Sequence, residues 1–220
     1  MLQLTNTIDP HSGEKIIYAG ASWEQADSAM IMLHGRGANA ESMQSLIMEF
    51  KTDGMMYIIP QATGYSWYPY RFIETRAVNE PGISSGLRLI DSIIVALGKN
   101  NLPGENIFLL GFSQGACLAA DYAARYPIRL GGVFALSGGL IGDKLNPAEY
   151  KGDLQKTPVF LGCSESDFHI PAERVHESSR IFNDLNADVT KRLYPEPGHT
   201  INQEELDFIN QAICSKQFAV

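Results

Sequence analysis

The strongest constraint on this 220-residue chain is a rhythm in which short apolar, β-branched runs alternate with longer amphipathic ones. Candidate strands cover residues 15–18, 29–33, 55–59, 106–110, 132–136, 159–161 and 189–194. Candidate helices cover 40–50, 83–97, 114–125, 171–185 and 201–213. In the second of these helices Ile83, Leu87, Ile90, Ile94 and Leu97 recur at three- and four-residue spacing, which makes one apolar face. Strands alternating with helices predict a mainly parallel central sheet covered by helices on both faces. Ligands of such sheets gather beyond the carboxyl ends of the strands. No linker, repeat or low-complexity segment interrupts the pattern, so one domain over residues 1–220 is expected. The irregular stretch 61–82 is rich in aromatics (Tyr65, Trp67, Tyr68, Tyr70, Phe72), which marks it as a functional loop rather than a disordered one.

Composition excludes several classes of function. A net charge of −8 argues against nucleic-acid partners, because phosphate binding needs concentrated Lys and Arg. Cys117, Cys163 and Cys214 are odd in number and scattered, with no C-x-x-C, so neither a disulfide framework nor a zinc site is suggested. The start, Met1-Leu2-Gln3-Leu4-Thr5-Asn6-Thr7, lacks the basic and apolar regions of a signal peptide, and no run is long enough to span a membrane. A cytoplasmic location is the resulting expectation.

Chemistry enters at Gly111-Phe112-Ser113-Gln114-Gly115, which follows the apolar run 106–110 and opens the helix at 114–125. A strand, a tight turn carrying serine and a helix make the setting of a nucleophile elbow. A serine needs a base to take its proton, and the base needs a carboxylate to orient it; in this architecture they follow in the order Ser, Asp or Glu, His. Among the histidines after Ser113, His199 lies on a loop between a strand and the last helix, with Thr200 and Gln203 at capping-box spacing and the helix expected to start at residue 201. His176 reads as solvated mid-helix and His169 as a substrate contact; nothing singles out His11. Asp167 is favoured as the acid because its loop lets it turn toward His199, with Glu165 and Asp143 as competitors. The helix-initial N–H of Gln114 supplies one oxyanion donor, and the backbone N–H of Arg36 in His34-Gly35-Arg36-Gly37 supplies the second. His34 orients that loop, and the Arg36 side chain is read as a surface group. Trp67, Tyr68, Tyr70, Phe168 and Ile170 are candidate substrate-binding residues, while Met43, Met48, Met55 and Met56 read as core filling.

Together, Leu33-His34-Gly35-Arg36-Gly37, the serine pentapeptide, Ser166-Asp167 before Ile170-Pro171, and Gly198-His199 resemble the phospholipase/carboxylesterase family of small α/β-hydrolases, which includes the acyl-protein thioesterases. The resemblance implies an α/β-hydrolase fold without a large lid domain, a Ser113-Asp167-His199 triad, and neither cofactor nor metal. It implies cleavage of a small-molecule carboxylic ester or thioester through an acyl-Ser113 intermediate, with lysophospholipase or acyl-protein thioesterase activity as the alternative. Arg36 stands where the thioesterases commonly have leucine, and the segment 67–72 departs from their Trp-Phe-Asp pattern, which points toward a bacterial carboxylesterase branch. A shallow, open site suited to short acyl chains is expected. A non-catalytic binding protein on the same fold is disfavoured by the intact triad set, and homodimerisation is left open.

Overall fold

The computed structural model describes residues 9–50 and 53–217; the N-terminal segment 1–7 discussed above lies outside them. The strands are β1 (Ile16–Gly20), β2 (Ser28–Leu33), β3 (Met55–Pro60), β4 (Ile107–Phe112), β5 (Gly132–Leu136), β6 (Pro158–Ser164) and β7 (Asp188–Tyr194). Between and after them run α1 (Ala40–Gln44), α2 (Gly82–Lys99), α3 (Gln114–Arg125), α4 (Ala172–Asp184) and α5 (Gln203–Gln217). The seven strands form one sheet in the order β1-β3-β2-β4-β5-β6-β7. Every neighbouring pair is parallel except β1 with β3. β1 is an edge strand with a half-exposed face, where Tyr18 is exposed, and an antiparallel edge tolerates solvent in a way the buried centre does not.

Side chains alternate across each strand, so the sheet has two buried faces. Ile31, Leu33, Leu109 and Leu161 pack on one side with α2, α3 and α4. Met30, Met32, Leu110, Phe134 and Phe160 pack on the other with Leu206, Ile209 and Ile213 of α5. The predicted apolar face of α2 is all buried. Helix α3 is buried along its whole length before Arg125. Two helix expectations are corrected. Residues 40–50 form only the short α1 followed by a 3₁₀ turn over Ser45–Glu49, and Met48 is exposed rather than part of the core. The last helix starts at Gln203, because the capping box is Asn202 with Glu205: the Glu205 N–H donates to Asn202 Oδ1 at 3.0 Å and the Asn202 N–H to Glu205 Oε2 at 2.9 Å. No helix among the described residues is long and apolar enough to cross a membrane.

Because β2 and β4 to β7 run in parallel, their carboxyl ends lie along one edge of the sheet. The loops after β2, β4, β6 and β7 bring His34 to Gly37, Ser113, Asp167 and His199 to that edge.

Candidate active site

Ser113 caps the start of α3 with φ 55° and ψ −117°, a conformation that a residue with a side chain adopts only where its surroundings enforce it. The surroundings are tight. A β-carbon on Gly111 would lie 2.3 Å from the Gly115 carbonyl oxygen, and one on Gly115 would lie 2.2 Å from the Leu33 oxygen. The two pentapeptide glycines are therefore what allow β2, β4 and α3 to converge on the serine. The Ser113 N–H donates to Leu136 O at 2.9 Å, which ties the turn to β5.

His199 bonds Ser113 Oγ through Nε2 at 2.7 Å and Asp167 Oδ2 through Nδ1 at 2.7 Å. The Asp167 side chain is fully buried. Its Oδ1 accepts the N–H groups of His169 (2.8 Å) and Ile170 (3.0 Å), and the Cys163 thiol donates to Oδ2 at 3.6 Å. Burial works to raise the Asp167 carboxyl, but hydrogen bonds from His199, His169 and Ile170 outweigh it and hold the group below its ordinary value. Neither competing acid occupies this place: Glu165 and Asp143 are exposed. His176 sits in α4 beside Lys191 Nζ at 2.6 Å, away from the serine.

The loop after β2 lies against the elbow, since a β-carbon on Gly35 would meet Ser113 Cβ at 3.3 Å. His34 is fully buried and its tautomer is fixed by its partners. The Ala62 N–H donates to Nε2 (3.0 Å), so Nδ1 carries the proton and donates to Gly35 O (2.8 Å). Burial lowers its basicity, which suits an orienting group rather than a proton carrier. The N–H of Gln114 is the first of α3 and has no carbonyl one turn back to accept it.

The aromatic loop is strapped to this frame. Gln114 Oε1 accepts the Trp67 N–H at 2.8 Å and Gln114 Nε2 donates to Tyr68 O at 2.7 Å. The Trp67 indole donates to His34 O at 2.9 Å. Arg36 is exposed, yet its guanidinium is not an idle surface group: it donates to Pro69 O at 2.5 Å and also to Tyr70 O. Arg76 from the same segment pairs with the fully buried Asp121 of α3 at 2.6 Å.

These groups border a cleft of about 770 Å³ that contains Ser113, Gln114 and His199. Of the candidate substrate-binding residues, Tyr68, Tyr70 and Ile170 line it, as does His169. Trp67 does not. It is fully buried beneath the loop, and its indole is used up as a structural bond. Phe168 is not in the lining either; it projects into solvent at 71 % exposure, with its ring 4.4 Å from that of His169. Sequence reasoning missed Arg71, Phe72 and Glu74 from the loop and Cys117 from α3. Cys117 was findable, being four residues after Ser113 and so on the same helical face. His11 was also missed: it is buried, accepts the Thr63 N–H on Nδ1 (3.2 Å) and donates from Nε2 to Trp67 O (2.9 Å).

Sheet order, elbow and hydrogen-bonded Ser–His–Asp chain define an α/β-hydrolase. More closely, the chain belongs to the phospholipase/carboxylesterase family, whose model matches residues 15–216. A crystal structure of a phospholipase/carboxylesterase from Dyadobacter fermentans is 41% identical, with a TM-score of 0.89 over 95% of this chain and 100% of that one. Acyl-protein thioesterase 1 of Gibberella zeae is 25% identical over 92% of this chain and 94% of its own length. A carboxylesterase of Arabidopsis thaliana is 23% identical over 86% and 90%.

Proposed function

We propose that the chain is a serine hydrolase that cleaves carboxylic esters of small or short-chain acyl substrates through an acyl-Ser113 intermediate. One observation carries the reading: a continuous hydrogen-bonded chain from Ser113 Oγ through His199 to Asp167, 2.7 Å at each link, inside a cleft. His199 Nε2 takes the Ser113 proton as Oγ attacks the ester carbonyl. The N–H groups of Arg36 and Gln114 stabilise the oxyanion. His199 then returns the proton to the departing alcohol, and water repeats the sequence on the acyl-enzyme. Asp167 keeps Nδ1 protonated and the imidazole aligned throughout. Tyr68 and Cys117 are both buried and line the cleft on the α3 side, which suits a short acyl group rather than a long chain. We place the chemistry in the cytoplasm, whose reducing conditions suit the buried Cys117 and Cys163 thiols.

Thioester cleavage is the second reading, favoured by the likeness to acyl-protein thioesterase 1. A panel of esters and thioesters of graded acyl length distinguishes the two. Hydrolysis should favour short oxygen esters and fall by about 10³-fold or more in kcat for Ser113→Ala. Equal or better turnover of long-chain esters would remove the short-chain reading, and retained activity in Ser113→Ala would remove the serine mechanism.

A further inference from the structure

Two arginines border the Ser113 cleft without an ion-pair partner. Of the nine arginines in the chain, Arg76, Arg88, Arg125, Arg174, Arg180 and Arg192 each pair with a carboxylate. Arg36, Arg71 and Arg129 do not among the described residues, and Arg36 and Arg71 both line the cleft. An exposed arginine without a partner is ordinary by itself. Two of three such arginines at the cleft that holds the nucleophile point to a ligand. Glu74 is the carboxylate in the same lining, and it forms an ion pair with neither. With the histidines neutral, the cleft wall carries a surplus of one positive charge in a chain whose net charge is −8.

The two guanidinium groups stand differently. Arg36 donates to the carbonyls of Pro69 and Tyr70, neutral dipoles that fix it in place and leave its charge uncompensated. Arg71 is exposed and its side chain makes no hydrogen bond among the described residues, so its fork of donors is open. Its backbone, by contrast, is held on both sides. Asn79, itself fully buried, accepts the Tyr70 N–H at 2.8 Å and donates to Arg71 O at 2.9 Å. The Glu74 N–H also donates to Arg71 O (3.1 Å), and the Gly142 N–H donates to Phe72 O (2.8 Å). Arg71 thus presents an unengaged charge from an anchored root, which lowers the cost of ordering it around a ligand.

A planar guanidinium matches a carboxylate with two parallel N–H bonds, and a surplus of one charge suits a singly charged group. We propose that Arg71 is a specificity determinant that binds a carboxylate carried by the substrate, assisted by the fixed charge of Arg36, so that carboxylate-bearing esters are preferred to neutral esters of equal size. The proposal rests on the serine-hydrolase reading above and names a substrate class for it.

The test follows acid release by pH-stat, at a pH where every carboxylate is ionised. One pair of substrates carries the charge on the acyl side: monoethyl glutarate and its terminal amide. The other carries it on the alcohol side: the butanoyl esters of 3-hydroxypropanoate and 3-hydroxypropanamide. For each pair the kcat/KM ratio of carboxylate to amide is measured in the wild type and in Arg71→Gln. The wild-type ratio should exceed one for at least one pair, which shows where the carboxylate sits. In Arg71→Gln that ratio should fall about three- to tenfold, and in Arg71→Glu further still. The Tm should stay unchanged, because no bond within the protein is lost. Wild-type ratios below one for both pairs would overturn the proposal, as would a fall of less than about twofold in Arg71→Gln. A Tm loss of several degrees in Arg71→Gln would also overturn it, by revealing a structural partner. Hydrolysis of p-nitrophenyl butanoate without hydrolysis of either carboxylate ester would overturn this proposal alone. If the wild type hydrolyses none of these esters, the serine-hydrolase reading falls, and this one with it.

Discussion

Replacing Asp167 with Asn tests the logic of the site most severely, because it changes one atom and leaves the shape intact. The carboxylate divides its oxygens: Oδ1 serves the His169 and Ile170 N–H groups, and Oδ2 serves His199 Nδ1. Asparagine's carbonyl can keep the two backbone bonds, so the loop should hold and the protein should fold. Its NH₂ then faces His199 Nδ1, and two donors cannot share a proton. The imidazole must present a lone pair at Nδ1 and carry its proton on Nε2, where it can no longer accept the Ser113 hydroxyl proton. Other Ser–His–Asp sites lose about 10⁴ in kcat from this exchange, or about 5.5 kcal/mol of transition-state stabilisation. Steady-state hydrolysis of a p-nitrophenyl ester measures the loss, and a thermal melt checks the fold. Asp143→Asn is the control, since its side chain is exposed and its backbone oxygen accepts from Arg174. A loss of less than about tenfold in Asp167→Asn, or an equal loss in Asp143→Asn, would refute the assignment.

Three further outcomes are expected. Gly115→Ala forces a β-carbon against the backbone oxygens of Leu33 and His34, at 2.2 and 2.7 Å, and should cost about 3 kcal/mol or more in denaturant unfolding. Gly37→Ala has open space and only its φ of +77° to resist it, so it should cost about 1–2 kcal/mol; equal costs would contradict the packing argument. Gln114→Ala orphans the Trp67 N–H and cuts one bond to Tyr68 O, predicting about 2–3 kcal/mol of lost stability and easier proteolysis within 61–82. Burial pushes the Glu205 carboxyl from its usual 4.5 up to about 7 against the pull of its bond from the Asn202 N–H. The folded state therefore holds this proton more tightly than the unfolded chain, and stability drops as pH rises from about 4.5 to 7, by at most about 3 kcal/mol. Glu205→Gln cannot ionise, so its stability relative to wild type should climb across that window; a flat difference would count against a buried, neutral Glu205.

Much of this was legible in the chain because the order of chemical groups mirrors the order of strands. Ser113, Asp167 and His199 each follow a recognisable strand, and parallel strands put all three at one edge. What stayed hidden depends on contacts between distant segments. The aromatic content of 61–82 signals a structured loop but not which ring faces in: Trp67 is fully buried and does not line the cleft, and neither does Phe168 on the later loop, which is exposed. His11 stands in a polar turn, and its partners, Trp67 and Thr63, are more than fifty positions away. The Arg36 guanidinium reads as a surface charge until folding brings the carbonyls of Pro69 and Tyr70 to it. The start of α5 is ambiguous in the sequence because capping spacing occurs twice within six residues, and the reciprocal bonds of Asn202 and Glu205 select one.

We assign Ser113 as the nucleophile and His199 as its base on the hydrogen bond between them. Treatment with a fluorophosphonate followed by peptide mass mapping reads this directly. One adduct is expected, on Ser113, which disappears in Ser113→Ala and forms at least about 100-fold more slowly in His199→Ala. Modification at another residue, or undiminished labelling in Ser113→Ala, would contradict it.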